Sequence, residues 1–236
     1  MKNILLILCF FMMTLTVFGQ VIHSGAMSEM GKNGFAPTIS LDSLQKYQYL
    51  IAMGPLGKME GEISILEGKM YGGKSLISGE TVVVNDWKVQ APFLVYADVA
   101  EWEKSKLTGK AESLAELDEK IKEAALASGI NLAEPFFFRI EGSFDQMVTH
   151  IVTPRAPEIE GYVAGQNQKN YDHLSESGEL IGVYSKIGQR IYTHHDSFMH
   201  VHFLNAKKDF TGHLDKFQSK LDGMVIYFPK ERVTPK

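Results

Sequence analysis

Residues 194–213 read HHDSFMHVHFLNAKKDFTGH and hold five of the chain's eight histidines. If Met199–Phe203 is a strand, side chains two apart share a face. His200 and His202 then point one way, while Met199, Val201 and Phe203 point the other way into a core. The two imidazoles stand about 7 Å apart at the backbone, close enough to converge on one ion. His213 follows after the polar stretch NAKKDFTG (205–212), and a strand–loop–strand return would bring it beside the pair. Three neutral imidazoles with an open position form a catalytic zinc arrangement, and such a set suits zinc, copper, iron or nickel better than calcium or magnesium. His194 and His195 lie in the polar THHDS turn before the strand and are expected in an exposed loop. Cupins also carry an HxH pair, but place a glutamate three or four residues later; Asn205, Ala206 and Lys207 stand there instead.

Outward from this stretch, alternating segments recur. GEISILEGKMYGG (61–73) places Ile63 and Ile65 on one face and Glu62 and Ser64 on the other, and turns at EGK as a β-hairpin. On the residues alone, Glu62 reads as part of a solvated strand face. TVVVNDWKV (81–89) and APFLVYADV (91–99) read as strands, and FFFRIEGSFDQMVTHIV (136–152) as two strands joined around Glu141-Gly142. GELIGVYSKIG (178–188) and DGMVIYFP (222–229) complete the set. AESLAELDEKIKEAALASG (111–129) predicts a helix, with Leu114, Leu117, Ile121 and Ala124 at helical spacing and Gly129 as its stop. A shorter helix is expected near LDSLQKYQYL (41–50). The fold class is α+β, mainly β: mixed or antiparallel sheets, or a barrel-like core, with one or two helices.

The 236 residues are 44% hydrophobic and 22% charged, an ordinary globular composition. No Pro/Gly/Ser-rich linker divides the chain, so residues 20–236 are expected to form one domain. MKNILLILCFFMMTLTVFGQ (1–20) has one charge, at Lys2, then an apolar run to about Phe18. It reads as a signal peptide over residues 1–19, cleaved before Gln20. The run is short for a span, which needs ~20 apolar residues. Export to the periplasm or the outside is expected, without stable membrane insertion after cleavage. Cys9 is the only cysteine and falls within that run. The mature chain then has no disulfide, no thiolate ligand and no cysteine nucleophile. Losing Lys2 takes the net charge from −4 to −5, and no basic stripe is present, which argues against a nucleic-acid partner.

The ordered set MEGEISILEGKMYGG (59–73), APFLVY (91–96), PFFFRIEGSF (135–144) and HVHFLNAKKDFTGH (200–213) resembles the acetolactate decarboxylases. Their pattern is a GEL or GEM strand with a DG-x-x-Y turn, a Pro-Phe strand, an FYAIRIDGTF-like strand, then HLHF, a loop and GGH. The agreement runs from about Tyr49 to the C-terminus. It implies Zn2+ held by His200, His202 and His213, and Glu62 near the metal as an acid–base group. It also implies a lyase that converts 2-acetolactate to acetoin and carbon dioxide without an organic cofactor. Two positions depart from the pattern. The family's arginine on the strand after GTF is matched by His150, in MVTHIV (147–152), so the cation that orients the substrate carboxylate would be His150, or would come from Arg139 or Arg155. The family's acidic residue in a longer C-terminal tail has only Glu231 as a stand-in. The alternatives are a binding protein that keeps the metal, or a different metal-dependent lyase or hydrolase. The partner is a small 2-hydroxy-3-keto acid, and edge strands could support a homodimer.

Overall fold

The computed structural model describes residues 19–154, 167–195 and 197–230. The expected signal peptide therefore lies almost wholly outside the described residues, as do Arg155 and Glu231. Along the chain the strands are β1 (Ile22–Ser24), β2 (Ile39–Ser40), β3 (Leu50–Pro55), β4 (Glu62–Leu66), β5 (Lys69–Ser75), β6 (Thr81–Val84), β7 (Gln90–Ala91), β8 (Leu94–Asp98) and β9 (Trp102–Lys106). Then come β10 (Lys110–Ala111), β11 (Phe136–Val152), β12 (Gln168–Tyr184), β13 (Met199–Asn205), β14 (Thr211–Lys220) and β15 (Val225–Pro229). The helices are α1 (Met27–Met30) and α2 (Leu114–Ala127), with a 3₁₀ turn at Leu41–Leu44 where a short helix is expected.

Two large antiparallel sheets form, in the orders β1-β8-β3-β4-β5-β6 and β10-β14-β13-β12-β11-β15-β9, and β2 pairs with β7 as a separate two-stranded sheet. β14 also pairs with β11, closing β11–β12–β13–β14 into a ring. Both expected forms, sheets and a barrel-like core, are thus present in one architecture. The β4–β5 hairpin turns at Glu67 and Gly68, both at positive φ, 50° and 69°. That is the twist-matched two-residue turn, with glycine at the second position.

One expectation is corrected. Phe136–Val152 is a single strand of 17 residues, not two strands joined at Glu141-Gly142. Gly142 stays in the ladder opposite Gly178. Its missing side chain leaves room for Met224, whose Cγ would lie 2.7 Å from an added Cβ. Close packing, not a turn, explains this glycine.

The core has three large clusters, beside a small one of Phe35, Met59 and Val152. Phe136, Phe138, Phe144, Phe203 and Phe228 pack under α2, which contributes Leu117, Ile121 and Ala125. Ser113 caps α2 by accepting a hydrogen bond from the Glu116 N–H, and Gly129 follows its end at φ 76°. Met53, Phe93, Val95, Phe137, Ile181 and Val183 fill the space between the sheets. Ile63 and Ile65 pack on the outer face of the first sheet with Leu50, Leu56 and Leu94. The other face of β4 meets the second sheet rather than water. Gly73 permits that approach, because a Cβ there would sit 2.2 Å from the Thr211 carbonyl oxygen.

Candidate functional site

The histidines lie where the two sheets meet. Backbone register places His202 opposite His213, and His213 opposite His150. β4 crosses this row from the other sheet and delivers Glu62 and Ser64. Glu62 is 4% exposed, His200 3% and His202 0%. The solvated-face reading of Glu62 is therefore corrected: the second sheet covers the alternating polar face of β4.

Each imidazole is anchored through Nδ1. His200 Nδ1 lies 3.2 Å from the Tyr192 carbonyl oxygen, His202 Nδ1 3.2 Å from Ser64 Oγ, and His213 Nδ1 3.2 Å from Asp215 Oδ1. Thr211 holds Ser64 in turn, at 2.6 Å. With Nδ1 engaged, Nε2 is the atom left to face inward. His200 and His202 Nε2 are 3.2 Å apart, and the His213 ring centroid lies 5.1 and 5.8 Å from theirs. Two nitrogens bound at 2.0–2.1 Å to a tetrahedral ion stand about 3.3 Å apart. His194 is exposed, as expected, but its Nε2 lies 3.0 Å from His213 Nε2, which places it at the edge of the group. Glu62 Oε2 is 3.6 Å from His202 Nε2, and Glu62 Oε1 is 3.8 Å from His150 Nε2.

A second set of donors overlaps the first. His150, His213 and Asp215 each offer an atom, all within 4.8 Å of one another. Asp215 accepts from His150 Nδ1 at 2.8 Å and from His213 Nδ1. That is the geometry of an outer carboxylate that orients ligand histidines. The inward Nε2 atoms of His200, His202 and His213 are therefore the better candidates to hold an ion. Sequence reasoning missed Asp215. Its position two residues after His213 is a same-face signal. A bulge sharpens it: Val148 pairs with Lys216 but Thr149 with Leu214, so Asp215 is the extra residue and its side chain is turned toward His150.

The electrostatics suit a cation. Burial lowers the pKa of His200 and His202 well below the ordinary value, and neighbouring imidazoles add to this. Burial brings His213 down to about 3 against the pull of Asp215. Neutral imidazoles are the form that binds metals. Burial would also lower His150, but hydrogen bonding to Asp215 and the charges of Glu62 and Asp215 outweigh it and raise it. Asp215, raised by burial, is lowered on balance by hydrogen bonds from His150 and His213. Glu62 is pushed up to about 8 by burial, against the opposing charge of His150.

Arg139 is placed differently from its expected role. It pairs with Ile181, which pairs with His202, so its backbone lies two strand spacings, about 10 Å, from His202. Its guanidinium bonds Glu179 at 2.6 Å and Glu67 at 3.0 Å, and lies over the rings of Trp102 and Tyr227. Glu179 and Glu67 thus pair with its charge.

The alpha-acetolactate decarboxylase family model matches residues 26–230. An alpha-acetolactate decarboxylase of Lactococcus lactis subsp. lactis is 25% identical over 207 residues, covering 86% of this chain and 81% of that protein. One from Streptococcus thermophilus is 25% identical over 172 residues, covering 71% and 67%. Among solved structures, alpha-acetolactate decarboxylase from Bacillus subtilis strain 168 superposes with a TM-score of 0.69 at 19% identity, over 90% of this chain and 86% of that one. A Staphylococcus aureus protein of unknown function, described as similar to alpha-acetolactate decarboxylase, gives 0.69 at 15% identity with the same coverage. At these identities the superpositions speak for the fold, while the family match spans most of the chain and takes in every histidine of the cluster. This chain therefore belongs to the alpha-acetolactate decarboxylase family.

Proposed function

We propose that the protein is a zinc-dependent decarboxylase that converts 2-acetolactate, or a close 2-hydroxy-3-keto acid, to acetoin or its analogue and carbon dioxide. The observation that carries this reading is the approach of the His200 and His202 Nε2 atoms to 3.2 Å, with the His213 ring 5.1 Å from that of His200, beside the buried Glu62. Three neutral imidazoles and an adjacent carboxyl fit a zinc ion. Bound there, the ion supplies Lewis-acid stabilisation for the negative charge that develops on the substrate oxygens.

The chain's own residues do the rest. Burial pushes the Glu62 carboxyl up to about 8, which suits it to hold a proton inside the site. When carbon dioxide departs, the bonding electrons stay on the former α-carbon, and a proton from Glu62 on one fixed side gives one hand of product. His150 faces Glu62 and offers a positive charge toward the substrate carboxylate. Asp215 offsets part of that charge, which also favours a second reading as a binding protein that has lost turnover. The test is acetoin release by zinc-loaded protein. Formation of one enantiomer above the spontaneous background supports the decarboxylase, and no excess over background removes it. We also propose export through the N-terminal signal peptide; a mature N-terminus at Gln20 in the exported protein is the expected result.

A further inference from the structure

His200 is held differently from the other two imidazoles of the site. Side chains support His202 and His213, through Ser64 and Asp215, whereas His200 Nδ1 lies 3.2 Å from a backbone carbonyl, that of Tyr192. A carbonyl oxygen only accepts. The contact therefore keeps the proton on Nδ1 and leaves the Nε2 lone pair for an ion. The direction of the ring depends on where the Tyr192 carbonyl points.

That carbonyl lies in the segment between β12 and β13. The Tyr192 N–H donates to the Gly188 carbonyl at 2.9 Å, and the Tyr192 hydroxyl is 3.2 Å from Ser185 Oγ. Arg190 stands at φ 68°, a left-handed conformation that costs a residue with a Cβ and persists only where its surroundings hold it.

The hold comes from the N-terminal side of the chain. The Met27 N–H donates to the Ile191 carbonyl at 2.9 Å, and the Ser28 N–H to the Arg190 carbonyl at 3.0 Å. These are the first two amides of α1, which have no acceptor within the helix. The Ile191 carbonyl and the Tyr192 N–H belong to one planar peptide unit. Met27 grips one side of that plane and Gly188 the other, so the backbone from which the Tyr192 carbonyl projects is fixed. Packing adds to this. Val21, Met27 and Met30 pack against the cluster that contains Tyr192 and Phe93. The His23 ring lies 5.7 Å from that of Tyr192, and the Phe93 ring 6.2 Å from that of His200. β1 pairs this stretch to β8. Gly25 then turns it into α1 at φ 71°, so close to the sheet that an added Cβ would lie 2.4 Å from the Pro92 carbonyl oxygen.

We propose that residues 21–30 form a strap that completes the metal site: α1 fixes Arg190 and Ile191, these aim the Tyr192 carbonyl, and the carbonyl orients His200. Met27 is a positioning residue that acts through its backbone N–H. The proposal rests on the reading of His200 as a zinc ligand. A strap that served the fold alone would change the melting temperature and leave the zinc affinity of the folded protein as it was.

The experiment is a zinc titration of the folded full-length protein in competition with a chelator, for the parent, Met27→Pro and Met27→Ala. Proline suits the first position of a helix. Ala26 before it already has the extended backbone that a following proline requires, at φ −147° and ψ 145°. Met27→Pro thus removes the N–H that holds Ile191 and keeps α1, while Met27→Ala removes the side chain and keeps the N–H. The proline variant should bind zinc about 10-fold more weakly than the alanine variant, the lower end of the loss for a contact that orients a metal ligand. The metal-free variants should share one circular-dichroism spectrum. If Met27→Pro does not fold, Gly25→Ala, which lifts the strap off Pro92, should show the same loss against the parent. Equal affinities in the proline and alanine variants overturn the strap, as does parental affinity in Gly25→Ala where the proline variant is unfolded. A parent protein that binds no zinc overturns the zinc-site reading and the strap with it.

Discussion

Glu62 lies between two sheets, and burial holds its carboxyl at about 8. It therefore gives up its proton less readily than an exposed glutamate. Replacing it with Gln keeps the shape and removes the proton. Turnover on 2-acetolactate should fall ~10²-fold or more, with zinc content unchanged by elemental analysis; undiminished turnover would end its role as the acid. Asp215 acts through the rings it orients. Asp215→Asn should weaken zinc binding about 10–100-fold in a competition titration against a chelator, with all three histidines in place. Equal affinity would mean that Asp215 does not set their orientation. At this scale the sequence exposes the HxH pair, because alternation alone puts His200 and His202 on one face. It hides the burial of Glu62, because alternation says that a face is polar and not what covers it. It also hides the commitment of Arg139 to Glu179 and Glu67, partners 40 and 72 positions away along the chain.

Gly73 on β5 is the contact through which the first sheet reaches β14. Its φ is not in the left-handed region, so close approach to Thr211 is what requires glycine. Gly73→Ala should push the sheets apart, cost about 1–3 kcal/mol of stability and lower zinc affinity; unfolding in urea and a zinc titration read the two effects. A midpoint equal to that of the parent protein would show that the contact relaxes freely. The helix α2 carries a pH-dependent cost of its own. Asp118 has its folded pKa raised from 3.8 to about 6. Its contribution to stability is therefore fully present below its unfolded pKa and is lost as pH rises through about 6. Asp118→Asn should melt at a higher temperature than the parent protein at pH 8, and at the same temperature at pH 3. A constant difference across that range would place the effect elsewhere. Among the elements, α2 and the β4–β5 hairpin are legible from local signals: helical spacing, a glycine stop at Gly129, and a turn at EGK. The continuity of β11 is not, because Gly142 reads as a break until Met224 is seen packed against it. The first half of β12 is polar and becomes a strand only because β11 pairs with it along its whole length.

Over the whole molecule, the site draws on β4 from one sheet and on β11, β13 and β14 from the other. His150, His202 and His213 become neighbours through the ring closed by β11 and β14. Periodicity cannot announce such non-local pairings; the ordered motifs shared with the family carry that information, and the family match and the antiparallel sheets agree with it. Two overlapping donor sets meet in this ring, and the account turns on which of them holds the ion. Anomalous X-ray diffraction at the zinc edge from zinc-loaded crystals decides this directly. The account predicts one peak per chain, about 2.0–2.1 Å from Nε2 of His200, His202 and His213, with Asp215 outside the coordination shell. A peak bonded to His150, His213 and Asp215, with His200 and His202 unligated, would contradict it.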